Sequence, residues 1–277
     1  MAIREELVQV SEVRLHVQRR GQGEPILLIP GLGEGASCWE AQVGQLEQHF
    51  ACIGYDPRDC GASDLSPRGY RTQDLAEDAV RLLDALDIEH THVAGWSMGG
   101  AVAQELAIGW PDRVKRLALL ATYADSDARG SANLRGWGLL RRQLTPADYC
   151  RVTAPWVYSP SEFERPGLIE QALERAMGSP QQPHEAFDRQ VEATAAHYAG
   201  NRLSRIRAPT LLIFGSDDAL TPLRFAQALQ NGIAHAEMAV LAGAGHALIR
   251  TRAQEVSEIL ERFFSGAGPL LPITPRR

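Results

Sequence analysis

An α/β protein built on a mainly parallel sheet is the fold class this sequence predicts, and three observations predict it. Short, wholly apolar runs recur along the chain, as strands covered on both faces require. Segments with helical periodicity fill most of the gaps, and strand–helix alternation implies right-handed parallel crossovers. One stretch, 126–205, breaks the alternation. Helical patterns recur there without a convincing strand, punctuated by Pro146, Pro155, Pro160, Pro166, Pro180 and Pro183.

In chain order, Leu7–Val10 and Val13–Val17 alternate apolar and polar residues around Ser11-Glu12 and predict an antiparallel hairpin. The apolar runs Ile26–Ile29, Ala51–Tyr55, His92–Trp96, Leu117–Thr122, Thr210–Gly215 and Met238–Leu241 predict the remaining strands. Asp74–Leu86 sets Leu75, Ala79, Leu82, Leu83 and Leu86 on one helical face, and Met98–Ile108, Phe225–Leu229 and Val256–Phe264 behave likewise. The expected organisation is a core over 1–125 and 206–277, interrupted by a helical cap over 126–205. The end of the core, 266–277, carries three prolines and no periodicity and is expected to be mobile.

Composition narrows the function classes. Of 277 residues, 44% are hydrophobic and 22% charged, enough for a sizeable core, and the formal net charge of −6 leaves no footprint for nucleic acid. All but one of the 28 basic residues are arginine. The exception, Lys115, is expected in a charged turn, without the flanking residues of a phosphate loop and poorly placed for a Schiff base. Cys38, Cys52, Cys60 and Cys150 form no C-x-x-C pair. The N-terminus has no apolar stretch suited to a signal peptide, and no apolar run is long enough to span a membrane. A cytoplasmic protein acting on a small molecule, without nucleic acid or membrane as partner, is the expectation; oligomeric state stays open.

The chemistry-bearing signal is Gly95-Trp96-Ser97-Met98-Gly99, a G-x-S-x-G set between an expected strand and an expected helix. A serine on so tight a turn needs a strained backbone, and glycines on either side remove the clashes that side chains would create. The helix that follows aims free N–H groups at developing negative charge. After the strand ending at Gly215 comes Ser216-Asp217-Asp218-Ala219-Leu220-Thr221-Pro222, and after the last strand comes Gly243-Ala244-Gly245-His246. Parallel strands would bring serine, acid and histidine to one sheet edge. On the residues alone Asp217 and Asp218 both remain candidates for the acid.

Three other patterns lead elsewhere. Gly31-Leu32-Gly33-Glu34-Gly35-Ala36, with Asp56 at the end of the next strand, fits a dinucleotide fingerprint. Pro30 and the bulky Trp39 argue against it, and it leaves Ser97 and His246 unused. His90-Thr91-His92 has a metal-compatible spacing, but it starts its strand at the edge opposite the serine and lacks a carboxylate cluster. Asp56 and Arg58 read as a structural pair that fixes the loop after their strand. No metal is expected.

Together with Pro30-Gly31-Leu32-Gly33, Asp56-Pro57-Arg58 and Gly61-Ala62-Ser63, these motifs make the chain resemble the α/β-hydrolase superfamily across nearly all of its core. The cap and Arg205–Thr210 are similar to small bacterial enol-lactonases, esterases, meta-cleavage-product hydrolases and cofactor-free perhydrolases. The resemblance implies a mainly parallel sheet flanked by helices with an inserted helical cap. It also implies Ser97 as nucleophile, His246 as general base, and Asp218 as the orienting acid, since the family's acid stands four residues before a proline. A family variant would use Asp125 instead. Backbone N–H groups of Leu32 and Met98 would form the oxyanion hole, although many members open that loop with His-Gly where this chain has Pro30-Gly31. No cofactor is implied. The expected activity is cleavage of a carboxylic ester or lactone. The alternatives are hydrolysis of a carbon–carbon bond in a dicarbonyl ring-fission product or perhydrolysis with the same residues, and more remotely a nicotinamide oxidoreductase or a non-catalytic receptor. Trp96, Trp137, Trp156 and Tyr158 are the candidate pocket residues. The cap aromatics carry no clustered charge, so neutral esters of short to medium length are the expected substrates.

Overall fold

The structure, a computed structural model, describes residues 3–178 and 181–267. Most of the expected tail, from residue 268 on, lies outside the described residues. The hairpin forms as β1 (Arg4–Val10) and β2 (Val13–Arg20), with Ser11 taking φ 52° at the turn. Then follow β3 (Glu24–Ile29), α1 (Glu40–Leu46), β4 (Phe50–Tyr55), α2 (Thr72–Ala85), β5 (Thr91–Trp96), α3 (Met98–Gly109) and β6 (Val114–Leu120). After the helical segment come β7 (Thr210–Gly215), α9 (Leu223–Gly232), β8 (Glu237–Leu241), α10 (Leu248–Thr251) and α11 (Ala253–Phe264). The sheet order is β1-β2-β4-β3-β5-β6-β7-β8. β2 runs antiparallel to β4, and every pairing from β4 to β8 is parallel.

The apolar runs of the central strands split by residue parity between two layers. Leu27, Ile29, Val93, Leu117, Leu119, Leu212 and Phe214 pack against α2, α3 and α9, whose Leu75, Leu82, Leu83, Val102, Leu106 and Leu229 face them. Ile26, Leu28, Ala94, Trp96, Ala118, Leu120, Leu211 and Ile213 pack on the opposite side against Val43 and Leu46 of α1 and Val256, Leu260 and Phe263 of α11. Burying both faces explains why these strands read as continuous rather than alternating. Lys115 is not in a turn: it is the second residue of β6, and its Nζ donates to Glu24 Oε1 at 2.6 Å. Among the described residues no helix is long and apolar enough to cross a membrane.

Between β6 and β7 the chain runs through α4 (Ala128–Gln143), α5 (Pro146–Val157), α6 (Pro160–Phe163), α7 (Leu168–Gly178) and α8 (His184–Ala195). Prolines open α5 and α6 at their first turns, where the missing N–H costs nothing. The two ends of this segment meet at its base. Asp125 and Tyr198 form an antiparallel bridge, Ala199 N donates to Ala124 O at 2.8 Å, and Ser126 N donates to His197 O at 3.1 Å.

His197 is buried at this base, its Nδ1 3.0 Å from Thr72 Oγ1. Glu105 lies nearby but is committed to a bidentate pair with Arg202, at 2.7 and 2.8 Å. Burial, reinforced by the Arg202 charge, pushes the His197 pKa down from 6.5 to about 3. The unfolded chain therefore binds this proton first on acidification. Stability is full above about pH 6.5 and falls as pH drops towards 3. In urea melts from pH 7.5 to 4.5, His197→Gln is expected to lose less stability on acidification than the wild type. Parallel curves would mean that His197 takes up its proton equally readily in the folded and unfolded chains, and would overturn the lowered pKa.

Candidate active site

Ser97 links β5 to α3 at φ 56° and ψ −119°, left-handed backbone on a non-glycine residue. The glycines around it are explained by contact. A Cβ on Gly95 would lie 2.2 Å from Gly99 O, and one on Gly99 would lie 2.1 Å from Ile29 O and 2.5 Å from Pro30 O. The bare backbone at Gly99 thus lets the start of α3 pack directly on the loop after β3. Ser97 N donates to Leu120 O at 2.9 Å and Thr122 Oγ1 donates to Ser97 O at 2.8 Å, so the next strand clamps the turn.

The carboxyl ends of β5, β7 and β8 bring three side chains together. Ser97 Oγ lies 2.9 Å from His246 Nε2, and His246 Nδ1 lies 2.8 Å from Asp218 Oδ2. The tautomer that satisfies both has Nδ1–H donating to the carboxylate and Nε2 accepting from the hydroxyl. Asp218 also accepts from Leu220 N and Thr221 N at 2.8 Å each, and from Thr221 Oγ1 at 2.5 Å. Burial pushes its carboxyl upward, but the His246 and Thr221 interactions outweigh that and hold the pKa below the ordinary 3.8. Asp217 is exposed, receives Ser216 Oγ at 2.7 Å, and makes no contact with the histidine. Asp125 accepts from Ala199 N and Gly200 N at 3.0 and 2.7 Å, holding the base of the helical segment.

Leu32 and Met98 stand on the loop and the helix that Gly99 draws together. Among the described residues neither N–H has an acceptor in the protein. Glu34 N closes the loop onto Gly31 O at 3.2 Å, and Gly33 turns it at φ 71°. Pro30 in place of histidine leaves this turn intact. The loop is also held from above, by side chains the sequence did not single out. Gly33 N donates to Gln190 Oε1 of α8 at 3.0 Å; Gln182 Nε2 donates to the same oxygen at 3.1 Å and to Asp59 O at 2.7 Å. Arg189 grips Asp59 through two bonds, 2.8 and 2.6 Å.

The histidine loop has its own strut. Buried Glu162 accepts through Oε2 from Ser159 N at 2.8 Å and from Gly245 N at 3.2 Å. Ser159 Oγ donates to Gly243 O at 2.7 Å, and Ala247 N donates to Val157 O at 3.2 Å. Ser159-x-x-Glu162 is a capping box legible in the sequence. Its reach across to Gly245 is not, because it depends on a tertiary approach.

Two pocket candidates are corrected. Trp96 is 5% exposed in the layer under the sheet, its Nε1 donates to His246 O at 3.0 Å, and Arg250 lies over its ring. It supports the histidine from below, because the side chain after Gly95 points to the opposite face. Tyr158 is packed with Ala154, Ala172 and Ala247, edge-on to Phe163 at 6.2 Å, and joins the helical segment to the core. Trp137 and Trp156 are half-buried on α4 and α5. The expected Asp56–Arg58 pair is also corrected. Asp56 holds His16 Nδ1, Ala36 N and Ala62 N at 3.0, 2.8 and 2.9 Å, whereas Arg58 makes a buried bidentate pair with Asp78 at 2.6 Å. Asp56 is thereby occupied by the loops that a dinucleotide ribose would need cleared.

An eight-stranded sheet of this order, with a serine elbow after β5 and a histidine after β8, defines a hydrolase class of fold, and the comparisons agree. The family model for the alpha/beta hydrolase fold matches residues 24–252, so the chain belongs to that family. A relative from Azorhizobium caulinodans with the provisional name carbamate hydrolase RutD is 31% identical over 259 residues, covering 91% of this chain and 96% of the relative. The crystal structure of an enol-lactonase from Burkholderia xenovorans superposes with TM-score 0.84 at 25% identity, covering 95% of this chain and all of that one. A hydrolase from Pseudomonas aeruginosa gives TM-score 0.84 at 26% identity, covering 94% and 98%.

Proposed function

We propose that this hydrolase cleaves a carboxylic ester or lactone through an acyl-enzyme on Ser97. The observation that carries the reading is one imidazole hydrogen-bonded to both the Ser97 hydroxyl and the Asp218 carboxylate, at 2.9 and 2.8 Å. Ser97 Oγ attacks the carbonyl carbon while its proton passes to His246 Nε2. The carbonyl electron pair moves to oxygen, where the Leu32 and Met98 N–H groups and the α3 dipole stabilise it. As the intermediate collapses, the leaving oxygen departs with the proton from Nε2; in a lactone it stays tethered to the acyl group. Water, deprotonated by the same nitrogen, then attacks the acyl carbon, releasing the acid and restoring the Ser97 hydroxyl. Asp218 fixes the tautomer throughout and supports the imidazolium.

Cleavage of a carbamate is a second reading, favoured by the name of the Azorhizobium caulinodans relative. The same serine would then carry a carbamoyl group. Carbon–carbon hydrolysis and perhydrolysis also use these residues. The test is a turnover screen with 4-nitrophenyl esters, a lactone, an N-alkyl carbamate and a dicarbonyl ring-fission compound, alongside labelling with a fluorophosphonate. Label on Ser97 and the highest kcat/KM on an ester or lactone are expected. A carbamate or dicarbonyl compound turned over best would overturn the substrate assignment.

A further inference from the structure

Arg141, half-buried on α4, departs from the pattern set by three other arginines that fold against the protein. Arg58 is matched to Asp78, Arg250 to Glu34, and Arg202 to Glu105. Among the described residues Arg141 has no carboxylate at ion-pair distance; the nearby Asp188 is taken by Arg142. Its guanidinium lies 4.4 Å over the ring of Phe187 and 5.8 Å from that of Tyr149. Nη2 donates weakly to Gln182 O at 3.4 Å. A guanidinium partly shielded from water without a counter-charge is left with hydrogen bonds to fill.

The position of this group says what could do so. Phe187, under the guanidinium, abuts the loop that carries Leu32: a Cβ on Gly33 would lie 3.1 Å from Phe187 Cε2. The Gln182 carbonyl that Arg141 touches belongs to the residue whose side chain braces Gln190 and Asp59 above that same loop. The two aromatic rings hold the guanidinium in place, with most of its five N–H donors still available. A planar, parallel pair of donors matches a carboxylate.

We propose that Arg141 is the receptor for a carboxylate carried by the substrate, so that the preferred ester or lactone is anionic. This rests on the ester or lactone reading above and names its substrate class. It also replaces the neutral-ester expectation, which treated the cap aromatics as free of charge. Folding sets Arg141 of α4 between Tyr149 of α5 and Phe187 of α8, a grouping that linear spacing does not display.

Two esters matched in chain length, mono-4-nitrophenyl glutarate and 4-nitrophenyl pentanoate, test the proposal through the ratio of their kcat/KM values. The wild type is expected to favour the glutarate ester by about tenfold or more, as one charge-assisted bidentate contact implies. Arg141→Gln should collapse that ratio roughly tenfold to a hundredfold, chiefly through KM. Arg141→Lys, which keeps the charge but not the fork, should fall between. Thermal melts confirm that both variants fold. A ratio unchanged in both variants, or a wild type that prefers the pentanoate ester, overturns the proposal. Calorimetric titration of glutarate into the Ser97→Ala protein separates this from the reaction class. Glutarate binding that Arg141→Gln abolishes supports the carboxylate site even where neither ester is turned over. Absence of glutarate binding beside rapid turnover of both esters overturns the site and leaves the esterase reading standing.

Discussion

Ser97→Ala is expected to lose about 10⁴-fold or more in kcat while folding as the wild type does. The activity loss follows from the geometry: Ser97 Oγ is the oxygen within reach of His246 Nε2, and alanine offers no atom to form the acyl bond. Residual turnover would come from the N–H groups of Leu32 and Met98 and from substrate binding, which in the worked protease case keep about 10³–10⁴-fold over water. The fold should tolerate the change. Both residues carry a Cβ, so the left-handed turn at φ 56° is equally strained in each, and the lost hydroxyl gives up one bond at a half-buried site. A stability change within about 1 kcal/mol is therefore expected. Turnover, urea melts and fluorophosphonate labelling read by intact mass check the three parts together. Turnover kept at wild-type level by the mutant would require another nucleophile and defeat the Ser97 assignment.

The serine was legible because a short local pattern encodes both its backbone and its surroundings. The apolar run Thr210–Gly215 coincides with β7, which is buried at every position and bounded by Pro209 and a polar loop. The run Leu117–Thr122 begins three residues inside β6. Val114-Lys115-Arg116 looks like a turn in a linear sequence, whereas in the sheet Lys115 can reach across to Glu24. The short α1 gave no periodic signal over its seven residues, and Gly44 weakens it further. Pro155 punctuates the sequence pattern, yet α5 runs through it to Val157. The side chains that brace the candidate site are less legible than Ser97, Asp218 and His246 themselves. Gln190 and Glu162 act on Gly33 and Gly245 from helices far away in sequence, and no local spacing announces such contacts. Trp96 was visible as a neighbour of the serine, but its face of the sheet was settled by strand parity, which a wholly apolar run conceals.

Asp218→Asn is expected to lower kcat by at least about a hundredfold, and up to about 10⁴-fold, while Asp217→Asn stays within about fivefold of the wild type. The two residues are adjacent, and the turn separates them. Asp218 faces inward to His246 Nδ1 and is fixed there by Leu220 N, Thr221 N and Thr221 Oγ1. An asparagine in that pocket must present either its oxygen or its NH₂ to the histidine. The NH₂ would force Nδ1 to accept, moving the ring proton to Nε2, where it can no longer take the serine proton. Even with the oxygen presented, the neutral amide gives no charge to support the imidazolium. Asp218 is held below the ordinary carboxylate pKa of 3.8, so it stays ionised through the range in which the assay is run and loss of its charge on mild acidification is excluded as a cause. Asp217, by contrast, only receives the Ser216 hydroxyl at the surface. Asp125→Asn supplies the third arm. It removes the charge that accepts Ala199 N and Gly200 N at the base of the helical segment, so it should cost about 1–3 kcal/mol of stability with a far smaller loss in kcat than Asp218→Asn. The three variants are compared by kcat and by urea melts on the same ester. A hundredfold loss in kcat at Asp217 or Asp125, with Asp218→Asn active, would move the orienting role away from Asp218.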